Sequence, residues 1–217
     1  MTDFSPQLVM FDLDGTLIDS MGGIAHAVNT VRSRYGGMPL STGQIRGFVG
    51  NGGRRLMERA LADLIPPPAI EPALAGMIEA YAAEPLHDTR LYPGVAEGLA
   101  QLARRGCLLA VVSNKPDPVG RLILEGLGVA AFFCEIIGAG RFPLKPAPDA
   151  LLYLLEKYAV PRERAWFVGD HCTDLGAAAA AGVRGVFCRY GFGRRGDCPA
   201  PFAIDHFAEL PPLLAQG

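Results

Sequence analysis

The sequence predicts an α/β fold: a doubly wound parallel sheet of Rossmann-like type, with a small α-helical domain inserted after the first strand. Three observations carry this reading. Short apolar runs recur without polar alternation, as strands covered on both faces require. Segments with helical spacing lie between them, and strands alternating with such helices build right-handed βαβ units. One long interval, from about Ile18 to Arg90, holds several helical patterns and no convincing strand.

The first strand is read near residues 8–14, in "LVMFDLD". The interval after it contains "GGIAHAVNTVRSRYG", "GGRRLMERALADLI" and "PALAGMIEAYAAE", with Pro66-Pro67-Pro68 punctuating the last two. "YPGV" at 92–95 marks the return to the sheet, so the core is expected at 1–17 and 91–217 and the helical domain at 18–90. "GVAEGLAQLARRG" (94–106) ends in basic residues and a glycine, a helix stop. Strands follow in "CLLAVVSN" (107–114), "FCEIIGA" (133–139) and "AWFVGD" (165–170), with a fifth candidate in "RGVFCRY" (184–190). Helices are expected at 116–128, 147–160 and Thr173–Gly182. The run Ala177–Ala181 reads as a helix packed closely on a neighbour.

Half of the 217 residues are hydrophobic and 19% are charged, which suits a globular chain with a sizeable core. A formal net charge of -2 leaves no electrostatic footprint for nucleic acid or an anionic membrane surface. No apolar run approaches the roughly 18–20 residues of a membrane span. "MTDFSPQ" lacks the basic-then-apolar layout of a secretory signal. The five cysteines are odd in number and show no CxxC spacing, and are read as reduced thiols of a cytoplasmic protein. "GFGRRG" (191–196) matches GxGxxG, but "DCPAP" follows where a helix should begin, so the dinucleotide reading fails. Oligomeric state is not legible.

Ligands of an open parallel sheet bind outside the carboxyl ends of its strands. There the first strand delivers Asp12, Asp14 and Thr16, and the second Ser113, Asn114 and Lys115. Lys145 follows the third, and Asp170 ends the fourth, with Asp174 four residues on. Each element has a plain structural reading. DxDGT suits an Asx-type turn, Ser-Asn-Lys a helix start, Lys145 the surface, and Asp170 or Asp174 a helix cap. Their joint appearance at consecutive strand ends outweighs those readings. Two unit charges at 4 Å interact by about 4 kcal/mol at an effective dielectric near 20, so carboxylates sharing a crevice need a cation. Oxygen-only ligands favour a hard ion, Mg²⁺ above all. Mg²⁺ beside a lysine and hydroxyl donors is a receptor for a phosphoryl group.

"DLDGT", "SNK", "KP" and "GDHCTD" resemble, in order and spacing, the four motifs of the haloacid dehalogenase superfamily. The resemblance covers essentially the whole chain, and the helical insert sits where that superfamily carries its cap. "FVGNGGRRLMERAL" (48–61), "SNKPDP" (113–118) and "YGFG" (190–193) look like its phosphoglycolate phosphatase branch.

The resemblance implies a Mg²⁺-dependent phosphatase working through an aspartyl-phosphate. Asp12 is then the nucleophile, and Asp14 the acid that protonates the leaving oxygen and the base for the hydrolytic water. Asp14 also argues against the dehalogenases, which lack an acid there. Gly15, Thr16, Ser113, Asn114 and Lys145 are implied around the phosphate. Asp12, the Asp14 carbonyl and Asp170 are implied as metal ligands, with Asp174 a further ligand through water or an orienter of Lys145. Gly50-Asn51-Gly52-Gly53 offers backbone N–H groups at a helix start, and Arg46, Arg54 and Arg55 are candidates for a substrate carboxylate, although arginines on a solvated helix face read equally well. His171 departs from the branch, where serine is common, and is expected to change a hydrogen bond near Asp170. The implied partner is a small phosphorylated metabolite, foremost 2-phosphoglycolate. The alternatives are a sugar phosphate or pyrophosphate as substrate, a β-phosphoglucomutase-type phosphomutase, and a non-catalytic scaffold, against which the complete set of Asp12, Asp14, Lys145 and Asp170 argues.

Overall fold

The computed structural model describes residues 7–66 and 69–216; the first six residues and the Pro67-Pro68 part of the proline cluster lie outside the described residues. In chain order, β1 (Leu8–Phe11) and β2 (Ile18–Asp19) lead into α1 (Met21–Arg34), α2 (Thr42–Arg46), α3 (Gly52–Ala60) and α4 (Ile70–Ala83). β3 (Arg90–Leu91), α5 (Val95–Arg104), β4 (Leu108–Pro116), α6 (Asp117–Gly126) and β5 (Glu135–Ala139) follow. The chain ends through α7 (Asp149–Lys157), β6 (Ala165–Gly169), α8 (Cys172–Ala181), β7 (Arg184–Cys188), β8 (Phe202–Ile204) and α9 (Leu210–Gln216).

The main sheet has the order β5-β4-β1-β6-β7-β8, with every neighbouring pair parallel. β1 lies inside it, with Leu8 opposite both Leu108 and Ala165. Successive side chains of a strand point to opposite faces. Leu8 and Met10 accordingly pack with Leu151, Leu154 and Ala177 of α7 and α8. Val9 and Phe11 pack on the other face with Leu99, Ile123 and Phe207. Both faces are covered, so every residue of β1 is buried and no polar alternation survives. Each large side chain so buried contributes about 1.5–3 kcal/mol.

Helices α1–α4 all lie between β2 and β3, which pair antiparallel as a separate two-residue ribbon. Ile24, Val28 and Val31 of α1 share a core with Ala73, Met77 and Tyr81 of α4. Arg32 is buried among these helices, bonded to Met38 O at 2.9 Å and to both Asp63 oxygens at 2.8 and 3.0 Å. Among the described residues, no helix is long and apolar enough to cross a membrane.

Candidate active site

β1 stops at Phe11, yet Asp12 still donates its N–H to Val168 O at 2.8 Å, which keeps it in register with β6. The chain then folds back. The N–H groups of Thr16, Leu17 and Ile18 all reach Leu13 O, and Gly15 adopts a φ of 83°. That conformation favours glycine, and a Cβ at Gly15 would also collide with the Asp170 carboxylate. The turn brings Asp12 and Asp14 together on the wall of a cavity of about 270 Å³ at the carboxyl edge of the sheet. Residues of α1, α3 and α4 close its other side.

Charge pairing inside this cavity is specific. Lys145 Nζ lies 2.7 Å from Asp12 Oδ1 and 2.7 Å from Asp174 Oδ1. Lys115 Nζ lies 2.9 Å from Asp14 Oδ1, which also accepts the Ser20 hydroxyl at 2.5 Å. Asp170 Oδ2 accepts the Gly193 N–H at 2.7 Å. Burial pushes the Asp12 carboxyl up to about 6, although Lys145 opposes the shift. Burial, reinforced by Asp12 and Asp174, drives Asp170 well above the ordinary carboxylate range. Burial alone would lower Lys145, but Asp12 and Asp174 outweigh it and hold the ammonium above its ordinary value.

Oxygen atoms of Asp12, Asp170 and Asp174 all lie within 4.8 Å of one another, and all three residues are buried. One ammonium answers three carboxylates, so the cluster is short of positive charge. An oxygen-only, electron-rich donor set of this kind fits a hard divalent cation such as Mg²⁺.

The remaining expected residues divide. Ser113, Arg46, Asn51 and Gly52 line the cavity, and Ser113 keeps its O–H available while its Oγ accepts the Lys115 N–H at 3.2 Å. Asn114 also lines it, but its amide is already committed. Nδ2 donates to Gly50 O and Lys145 O at 3.1 Å each, and Oδ1 accepts the Lys145 N–H at 2.9 Å. It braces Lys145, and its side chain has no free donor for a phosphate. Gly15 and Thr16 are not among the cavity walls; Thr16 is wholly buried, and its carbonyl accepts the Tyr190 hydroxyl at 2.8 Å. Arg54 turns away from the cavity to pair with Glu71 and Glu58, and Arg55 pairs with Glu58. Asp174 uses its second oxygen to accept the His171 N–H at 2.9 Å, so both oxygens serve as protein anchors.

His171 caps α8. Its Nδ1 accepts the Thr173 N–H at 3.2 Å and, with Asp174, completes a capping box on α8. Burial lowers its pKa, which keeps Nδ1 an acceptor. The reading of five reduced thiols needs correction. Cys172 and Cys198 form a disulfide across a sequence separation of 26, and Cys107, Cys134 and Cys188 remain thiols.

Two features escaped the sequence reading. Lys115 stands at a buried strand end, where a lysine requires a partner, but its motif alone does not name Asp14 as that partner. The loop after β7 also builds the site. Phe192, Gly193 and Arg194 line the cavity, Phe192 O accepts the Arg46 Nε–H at 3.1 Å, and the disulfide ties this loop to α8. Its signal was the glycine pair Gly191 and Gly193, since a Cβ at either would run into Asp170.

Comparisons with known proteins agree with this geometry. The family model for haloacid dehalogenase-like hydrolases matches residues 6–182. The chain is 40% identical to phosphoglycolate phosphatase 1 of Pseudomonas aeruginosa over 221 aligned positions, covering 98% of this chain and 81% of that protein. The crystal structure of a predicted phosphoglycolate phosphatase from Haemophilus somnus 129PT superposes with a TM-score of 0.90 at 29% identity, covering 98% and 99% of the two chains. CbbY from Rhodobacter sphaeroides, solved in complex with phosphate, gives 0.78 at 27% identity, covering 94% and 96%. The chain therefore belongs to the haloacid dehalogenase-like hydrolase family, as a phosphatase enzyme of its phosphoglycolate phosphatase-like branch.

Proposed function

We propose that the chain is a Mg²⁺-dependent phosphomonoesterase that works through an aspartyl-phosphate, with 2-phosphoglycolate its foremost substrate. The observation that carries the reading is the convergence of Asp12, Asp170 and Asp174 on one crevice with the single ammonium of Lys145 between two of them. Asp12, Asp170 and the Asp14 carbonyl would hold the metal, which when bound screens the charge of the phosphoryl group and the carboxylates. Asp12 Oδ attacks phosphorus in line and displaces the alcohol, while Asp14 protonates the leaving oxygen. Asp14 then takes a proton from the water that cleaves the aspartyl-phosphate. Ser113 donates its hydroxyl to a phosphoryl oxygen, and Lys145 steadies Asp12. Asn114 and Asp174 keep Lys145 in place, so positioning and charge balance supply most of the catalysis. The names of the relatives in Pseudomonas and Haemophilus support phosphoglycolate as substrate.

The test is phosphate release from 2-phosphoglycolate, a sugar 1-phosphate and pyrophosphate, with Mg²⁺ and with EDTA, ranked by kcat/KM. Asp14→Asn treated with p-nitrophenyl phosphate is expected to accumulate phosphate on the peptide carrying Asp12. Turnover in EDTA, isomerisation of the sugar phosphate without release, or phosphate on another residue refutes the reading.

A further inference from the structure

The proposed chemistry leaves His26 and His87 unused, two of the four histidines of the chain. Neither lines the catalytic cavity, and nor does Glu84. His26 stands on α1, Glu84 caps the end of α4, and His87 lies in the turn that follows. That turn is held by its own backbone: the His87 N–H donates to Glu84 O at 3.0 Å and the Thr89 N–H to Leu86 O at 3.2 Å. Gly22 and Gly23, in the first turn of α1, let it sit close. A Cβ at Gly23 would come within 2.7 Å of His87 O, and one at Gly22 would collide with the Asp88 carboxylate. Glycine weakens a helix, so two in one turn mark a close approach that the packing requires. The approach lays the His87 imidazole on that of His26, with centroids 4.0 Å apart and planes 19° from parallel. His87 Nδ1 and Glu84 Oε2 are 3.1 Å apart.

We propose that His26, Glu84 and His87 form a second metal site, for a borderline divalent ion such as Zn²⁺, which clips α1 to the turn after α4. One ligand atom from each residue lies within 4.8 Å of the other two. Zn²⁺ sits about 2.0–2.1 Å from its donors and so spans at most about 4 Å between them; less than about 1 Å of side-chain movement closes the site. The side chains of His87 and Glu84 are 40% and 60% exposed, which leaves room for that movement and for a water as fourth ligand. Donor chemistry separates this site from the catalytic one. Two imidazole nitrogens and a carboxylate suit Zn²⁺, whereas the all-oxygen cluster of Asp12, Asp170 and Asp174 suits Mg²⁺. The clip joins position 26 to positions 84 and 87, so the loop it closes holds most of the helical insert. A metal clip across a long loop stabilises the fold by restricting the unfolded chain. Ile24 of α1 and Tyr81 of α4 stand on the cavity wall, so the ion also fixes the spacing of two helices that shape it.

The experiment titrates Zn²⁺ into the full chain by calorimetry, with Mg²⁺ in excess to occupy the catalytic carboxylates. The native protein should bind one Zn²⁺ per chain at this site and gain thermal stability as Zn²⁺ is added. His26→Ala and His87→Ala should each weaken that binding at least about tenfold and remove the thermal gain; Glu84→Gln should weaken it several-fold. All three variants should keep the native circular dichroism, since the substituted side chains are partly or largely exposed. Co²⁺ gives a second readout: the native protein should show the visible absorption of a four-coordinate Co²⁺ ion, and His26→Ala should not. Zn²⁺ binding and a thermal gain that survive in both histidine variants put the ion elsewhere and overturn the site. A native protein that takes up no Zn²⁺ in the presence of Mg²⁺ overturns it as well, and leaves the two rings as a packing contact.

Discussion

Asp12 is held where its charge is least welcome, and that cost can be measured. Burial raises its carboxyl from 3.8 to about 6; Lys145 pulls it back, and Asp174 and Asp14 push it further up. At 1.36 kcal/mol per pKa unit, the gap corresponds to about 3 kcal/mol. In metal-free protein below pH 3.8, Asp12 is neutral in both folded and unfolded chains, and the cost is absent. As the pH rises towards 6, the unfolded chain gives up its proton first, so stability falls; above 6 the folded state bears the whole cost. Asp12→Asn supplies a neutral side chain of nearly the same shape. In EDTA at pH 8 the variant should be more stable than the native protein by up to about 3 kcal/mol, and the difference should shrink on acidification to pH 4. Urea unfolding at the two pH values measures it, and with Mg²⁺ restored the variant should release no phosphate where the native protein does. An Asp12→Asn protein less stable than the native chain at pH 8 would refute the electrostatic account.

Two further substitutions separate a working residue from a neighbour. Asn114→Ala removes three hydrogen bonds and leaves the Lys145 N–H without its acceptor, which should cost about 1–3 kcal/mol in unfolding free energy; kcat should fall on the order of 100-fold as Lys145 shifts. Arg54 points away from the cavity and pairs only at the surface, so Arg54→Ala should leave KM for 2-phosphoglycolate within about twofold and stability within about 0.5 kcal/mol.

Much of this architecture is written in local pattern. β1, β4, β5, β6 and β7 stand where apolar runs place them, because strands covered on both faces keep polar side chains to their ends. The run Ala177–Ala181 packs at close range, with Ala177, Ala178 and Ala181 buried. Carboxylates at successive strand ends were legible for the same topological reason. What escaped was short or non-local. β8 has three residues and follows Pro199 and Pro201, and α2 has five, too few for either to show a period. The commitment of Asn114 to Lys145 spans 31 positions, and that of Lys115 to Asp14 spans 101, so neither has a local signature. The same distance problem hid the pairing of Cys172 with Cys198. For Arg54 the sequence leaves a substrate contact and a solvated helix face equally open, because the helix face, and not the residue type, decides what it meets; in the structure it pairs with Glu58 and Glu71.

The ribbon of β2 and β3 brings the two ends of the helical stretch together. Ile18 faces Leu91 and Asp19 faces Arg90, so the chain leaves the core and returns to it at one point. Everything between those two residues is, in covalent terms, a loop on a hairpin. A two-residue turn such as Asn-Gly would close antiparallel strands of this kind. The main sheet takes no strand from the excised stretch, and its order would be unchanged. Residues 21–89 are therefore the stretch to exchange as a cassette, with Ser20 kept because its hydroxyl holds Asp14 Oδ1 at 2.5 Å.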